Sequence, residues 1–189
     1  MSLEGHYEQA LTQTIASAKV DLNPHQVQAA LFALRSPLSK GVILADEVGL
    51  GKTIEASLVL AQKWAEQKRR LLLIVPATLR KQWSLELREK FELPSLILES
   101  KNFNELKKQG VANPFEINHG REPTIIITSY EFAARKQDDI ARVPWDLAVF
   151  DEAHKLRNSY KPDGAKTAKA IDYALHNRPK ILMTATPLQ

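Results

Sequence analysis

The chain has 189 residues, 44% hydrophobic and 25% charged, with a formal charge of +4. That is enough for one ordinary domain with a sizeable core and leaves little room for two. It has no cysteine, which excludes disulfides, thiolate zinc sites and cysteine nucleophiles, and no membrane-length apolar run or charged-then-apolar leader pattern, so the expected location is the cytoplasm, with no membrane partner.

A mild basic excess suits a polyanionic partner, because neutralised phosphates release counterions. Many soluble proteins without such a partner are equally basic, so charge alone does not decide.

Taken in chain order, residues 1 to 35 read as a helical segment laid before the first strand, with Pro24 opening its second helix. Short apolar runs then alternate with amphipathic stretches. The runs are Val42 to Ala45, Leu71 to Val75, Leu96 to Leu98, Ile125 to Thr128, Leu147 to Phe150 and Ile181 to Met183. Continuous aliphatic character marks strands buried on both faces. One intervening helix is expected from Thr78 as N-cap, with Leu79, Trp83, Leu87 and Phe91 along one face. Residues 101 to 123 read as a helix followed by a polar loop. Strand and helix in alternation imply a parallel sheet covered on both sides, with ligands beyond the carboxyl ends of its strands.

The first run leads into Asp46-Glu47-Val48-Gly49-Leu50-Gly51-Lys52-Thr53 and then a helix carrying Ile54, Leu58 and Ala61 on one face. Glycines let backbone N–H groups turn inward around an anion, and the helix start adds the positive end of its dipole. Lys52 is placed to reach the β- and γ-phosphates of a nucleotide, and the Thr53 hydroxyl to ligate Mg²⁺. The nucleotide-binding candidates are Glu47, Val48, Gly49, Leu50, Gly51, Lys52, Thr53 and Ile54. The common form of this loop has glycine where this chain has Asp46, and glycines used only for turn geometry are the competing reading. Lys-Thr at the helix start favours phosphate.

The run Leu147 to Phe150 ends in Asp151-Glu152-Ala153-His154. Two adjacent acids at the end of a parallel strand lie on the same side of the sheet as the phosphate loop. Asp151 can hold the hydration shell of Mg²⁺, and Glu152 can orient and deprotonate an attacking water. The plainer alternative is a helix start that favours negative charge.

These two stretches, the second continuing as Lys155-Leu156-Arg157-Asn158, resemble the Swi/Snf-type ATPases of helicase superfamily two, in bacterial-type form. In that family Asp46 is the usual residue at its position. The resemblance implies a three-layer α/β/α, RecA-like P-loop lobe with a mostly parallel sheet over residues 36–189, using ATP and Mg²⁺. It implies that Gln26, in Leu22-Asn23-Pro24-His25-Gln26, reads adenine. Double-stranded DNA is then the expected partner, contacted through Pro76, Ala77, Thr78 and Gln82 and through Thr128, Ser129 and Tyr130. His154, Thr184 and Thr186 are expected to couple hydrolysis to movement. A second RecA-like lobe in the same protein is expected to complete the ATP site.

Read without the resemblance, Gln26 is a solvated helix residue, Trp83 is core, and Thr128 and Ser129 cap a helix. Two rival functions remain at this level. One is an RNA or single-strand helicase, against which the Lys-Leu-Arg-Asn after His154 speaks. The other is a nucleotide-dependent binding module with little hydrolysis, for which Glu152 would have no use.

Overall fold

The computed structural model describes residues 42–45, 52–116, 122–157 and 162–184. The expected helical segment at residues 1 to 35 lies outside them. Six strands form one sheet: β1 (Val42–Ala45), β2 (Leu71–Val75), β3 (Ser95–Ile97), β4 (Ile125–Ser129), β5 (Leu147–Phe150) and β6 (Lys180–Thr184). Their spatial order is β1-β6-β5-β2-β4-β3, and every pairing is parallel. The helices are α1 (Lys52–Ala65), α2 (Arg80–Phe91), α3 (Ser100–Lys108), α4 (Tyr130–Arg135), α5 (Gln137–Ala141) and α6 (Pro162–Ala174).

Two cores flank the sheet, as period-two side-chain alternation requires. Leu71, Leu73, Val75, Ile127 and Val149 pack on one face against Val59 and Leu60 of α1 and Trp83 and Leu87 of α2. Leu72, Ile74, Ile126, Ala148 and Phe150 pack on the other, against Phe103, Phe132, Ile140 and Ile171 of α3 to α6. Every residue of β2 is fully buried, which is why it reads as an unbroken aliphatic run. The architecture is three-layer α/β/α, as expected. Among the described residues no helix is long and apolar enough to cross a membrane.

Some local readings change or narrow. Thr78 is not a helix N-cap. Pro76, with ψ of 141°, leads into a 3₁₀ turn over Ala77–Leu79, and Leu79 stands at the N-cap of α2. The turn is closed by Leu79 N–H donating to the Pro76 carbonyl at 2.9 Å, so Thr78 is used inside it. Ser129 is the residue that caps, its hydroxyl accepting from Phe132 N–H at 3.1 Å at the start of α4. β6 extends one residue beyond its apolar run at each end, because Lys180 and Thr184 both pair with neighbouring strands.

Because all strands are parallel, their carboxyl ends share one edge. Register makes this specific: Ile43, Leu182, Phe150, Ile74 and Thr128 form one continuous row across β1, β6, β5, β2 and β4. One step on, Leu44 pairs with Met183 and Val75 with Ser129, and Asp151 N–H donates to the Ile74 carbonyl at 3.0 Å. Ala45 and Thr184 form the last pair.

Candidate functional site

The edge beyond the strands carries those of the singled-out residues that the structure describes. Gln26, Glu47, Val48, Gly49, Leu50, Gly51 and Thr186 lie outside the described residues. Lys52 is the first residue of α1, on the connection that leaves β1 at Ala45. Thr53 and Ile54 follow in its first turn, both half-buried, and the Thr53 carbonyl accepts from Ser57 Oγ at 2.5 Å. α1 holds its place through Ala56, Val59 and Leu60, all buried against the sheet.

Asp151 follows the last residue of β5, and all four of its polar groups are engaged. Its N–H donates to Ile74 in β2. Its carbonyl accepts from the Tyr130 hydroxyl at 2.6 Å. Its Oδ1 accepts from Glu152 N–H at 2.8 Å, and its Oδ2 from the Trp83 indole Nε1 at 2.8 Å. Trp83 comes from the α1–α2 layer and Tyr130 from the α3–α6 layer, so the residue is gripped from both faces of the sheet. Each carboxylate oxygen has a second lone pair, so these bonds leave Asp151 able to accept further ones.

Glu152 adopts φ of 50°. A non-glycine residue in the left-handed region costs on the order of 1–3 kcal/mol and persists where its surroundings hold it. His154 lies in the 3₁₀ turn Ala153–Arg157, and its Nδ1 stands 3.5 Å from Thr184 Oγ1. That distance is at the outer limit of a hydrogen bond. It joins the turn after β5 to the end of β6.

The remaining residues separate by exposure. Ala77, Thr78 and Gln82 are exposed on the turn and first part of α2, while Pro76 is buried. Arg80 braces this turn by donating to the Ala77 carbonyl at 3.0 Å and pairing with Glu99 at 3.1 Å. The side chains of Thr128, Ser129 and Tyr130 face the interior instead, at 0%, 6% and 4% exposure. β4 lies between β2 and β3 and is covered on both faces, which encloses Thr128; its Oγ1 has no hydrogen-bond partner among the described residues. Burial drives the Tyr130 phenol strongly towards its neutral form, and the nearby negative charges of Asp151, Glu152 and Glu131 add to this. It therefore stays a hydrogen-bond donor.

The holds on Asp151 by Trp83 and Tyr130 were not read from the sequence. The usable signal was Trp83 itself: a buried indole N–H needs an acceptor, and a strand-end acid beside its helix is one.

Comparison with known proteins agrees with this fold. The family described as SNF2-related domain matches residues 25–189. The chain is 35% identical over 175 residues to the RNA polymerase-associated protein RapA of Serratia proteamaculans (strain 568), covering 90% of this chain and 17% of that protein. It is 36% identical over 188 residues to RapA of Pectobacterium carotovorum subsp. carotovorum (strain PC1), covering 96% and 19%. It thus spans less than a fifth of the length of these relatives. A solved structure of the Sulfolobus solfataricus SWI2/SNF2 ATPase core in complex with dsDNA shares the fold, with a TM-score of 0.67 and 24% identity, over 90% of this chain and 33% of that one. With residues 25–189 under one family description, the chain belongs to the SNF2-related domain family.

Proposed function

We propose that this chain is the ATP-binding lobe, over residues 36–189, of a DNA-dependent ATPase that translocates along duplex DNA, and that it works with a second RecA-like lobe of the same protein. The observation that carries this reading is the convergence of β1, β6 and β5 on one edge. There the connection to Lys52, the Thr184 end of β6 and the Asp151–Glu152 turn stand on adjacent strands. Family membership supports ATP as the nucleotide, and the dsDNA held by the solved SWI2/SNF2 ATPase core supports duplex DNA as the track.

The donor set fits a magnesium–nucleotide. Asp151 and Thr53 offer one carboxylate and one hydroxyl, which is how Mg²⁺ is held when phosphates and water supply its other ligands. Among the described residues no cluster of three His, Cys, Asp or Glu suggests an all-protein metal cage. When bound, Mg²⁺ neutralises phosphate charge. Lys52 binds the β- and γ-phosphates, Glu152 orients the attacking water and takes its proton, and Gln26 reads the adenine edge. Ala77, Thr78 and Gln82 form the exposed part of the duplex contact, by backbone and short polar groups blind to sequence. From the Thr128–Tyr130 segment, backbone groups would have to serve, since those side chains are committed inside.

The test is ATP hydrolysis by the protein that carries this lobe, with Mg²⁺ and either duplex DNA, single-stranded DNA or RNA. Duplex DNA is expected to stimulate turnover and RNA to leave it at the basal rate. Stimulation by RNA equal to that by duplex would transfer the assignment to an RNA helicase.

A further inference from the structure

We propose that Tyr130 is a positioning residue for hydrolysis, holding through the main chain of Asp151 the turn on which Glu152 sits, with Trp83 as the second hold. The proposal rests on reading Glu152 as the water-activating acid.

The carbonyl of Asp151 and the N–H of Glu152 belong to the same planar unit. The Tyr130 hydroxyl holds its oxygen at 2.6 Å, and Asp151 Oδ1 holds its N–H at 2.8 Å. Glu152 is left-handed, with φ of 50°, and rotation of this peptide plane is the simplest route out of that conformation. Both bonds oppose the rotation. The carboxylate that supplies one of them is in turn fixed through Oδ2 by the Trp83 indole at 2.8 Å.

The two holds are anchored where a duplex contact was expected. Tyr130 is the first residue of α4, directly after β4, and Trp83 lies in α2, just after the turn Ala77–Leu79, in which Ala77 and Thr78 are exposed. Displacement of either strand end therefore acts on the pinned peptide, which gives the nucleic-acid side of the edge a mechanical path to the hydrolytic side. At 4% exposure, the Tyr130 side chain cannot both serve this hold and touch a duplex.

Tyr130→Phe removes only the hydroxyl and keeps the ring, which packs against Phe150 at 6.4 Å between centroids. In the protein that carries this lobe, kcat for DNA-stimulated hydrolysis is expected to fall about tenfold, as loss of one buried hydrogen bond allows. The KM for ATP and the duplex concentration giving half-stimulation should stay constant. In the 189-residue chain without nucleotide, hydrogen exchange at the Glu152 amide should speed up about tenfold, by the same loss. Should Tyr130→Phe lose its cooperative melt, Trp83→Phe tests the other hold by the same measurements, with the same results expected. Unchanged kcat and unchanged exchange would overturn the proposal. So would a raised half-stimulating duplex concentration at constant kcat, which would make Tyr130 a DNA contact. Absence of hydrolysis by the unmutated protein would instead overturn the ATPase reading itself, and this proposal with it.

Discussion

Trp83 and Asp151, 68 residues apart in sequence, share a 2.8 Å hydrogen bond between a fully packed indole and a carboxylate at the carboxyl edge of the sheet. A bond from a neutral donor to a charged acceptor contributes more than an ordinary one, and Trp83 also fills core volume between α2 and the sheet. Trp83→Phe is therefore expected to lower the unfolding free energy by about 2–4 kcal/mol. Urea denaturation of the chain measures this. A loss below about 0.5 kcal/mol, the level of an ordinary surface change, would mean that the bond is of little consequence in solution.

Much of this fold could be read beforehand because β2, β4 and β5 are covered on both faces, and such strands must be written as aliphatic runs. The alternation calls for helical chain between β4 and β5 but does not place α4 and α5 individually: at six and five residues they are too short to show helical periodicity. α6 is not placed by pattern either, since its opening Pro162-Asp163-Gly164 has the composition of a turn. The position of Asp151 and Glu152 was legible because they directly follow the aliphatic run that forms β5. The burial of the Thr128 side chain was not, because only the neighbouring strands and covering helices enclose a hydroxyl at a strand end. Nor was the Trp83–Asp151 bond, which no local pattern links across 68 positions.

The separate placement of Lys52 and Glu152 predicts separate consequences. Lys52 opens α1, the helix that follows β1 in the chain, whereas Glu152 stands two strands away on the turn after β5. Lys52→Ala should weaken Mg-ATP binding. Glu152→Gln should leave binding intact and reduce turnover by about 10²–10⁴-fold, the usual contribution of a positioned acid–base group. Fluorescent-nucleotide titration and steady-state hydrolysis, both on the protein that carries this lobe, separate the two. Normal turnover in Glu152→Gln would remove Glu152 from the role of base.

At the opposite edge, Lys63 near the end of α1 is only 5% exposed. Burial lowers its pKa from the usual 10.5, and Lys68 adds to the effect, while Glu66 and Asp146 act the other way. A folded-state pKa below the unfolded one means that the unfolded chain binds more protons, so stability rises with pH between the two values. The penalty of burying the ammonium is complete below the lowered pKa and disappears as pH approaches 10.5. Lys63→Met keeps the stem and removes the charge. The variant should therefore melt higher than the unmutated chain at about pH 7, and its advantage should shrink as pH rises towards the ordinary lysine pKa. A melting-temperature difference that is independent of pH would show that packing, not charge burial, separates the two proteins.

The 189-residue chain can be assayed on its own. Under the proposed reading it supplies the phosphate loop, the magnesium carboxylate and the acid that activates water, on one side of a cleft. Nucleotide binding needs mainly the loop, whereas charge developing in the transition state must be stabilised from both sides. An arginine supplied from across such a cleft contributes about 10³–10⁵ in rate. Duplex contact from one lobe also engages fewer phosphates, and so is weaker, with a salt dependence that is shallower in proportion. The chain should therefore bind Mg-ATP weakly and hydrolyse it slowly whether or not duplex DNA is present. Adding salt should abolish what DNA binding there is. A steady-state ATPase assay decides, with Lys52→Ala prepared in parallel to expose any contaminating activity. If duplex DNA strongly stimulates turnover and Lys52→Ala abolishes it, these 189 residues carry a whole ATPase site and no second lobe is needed.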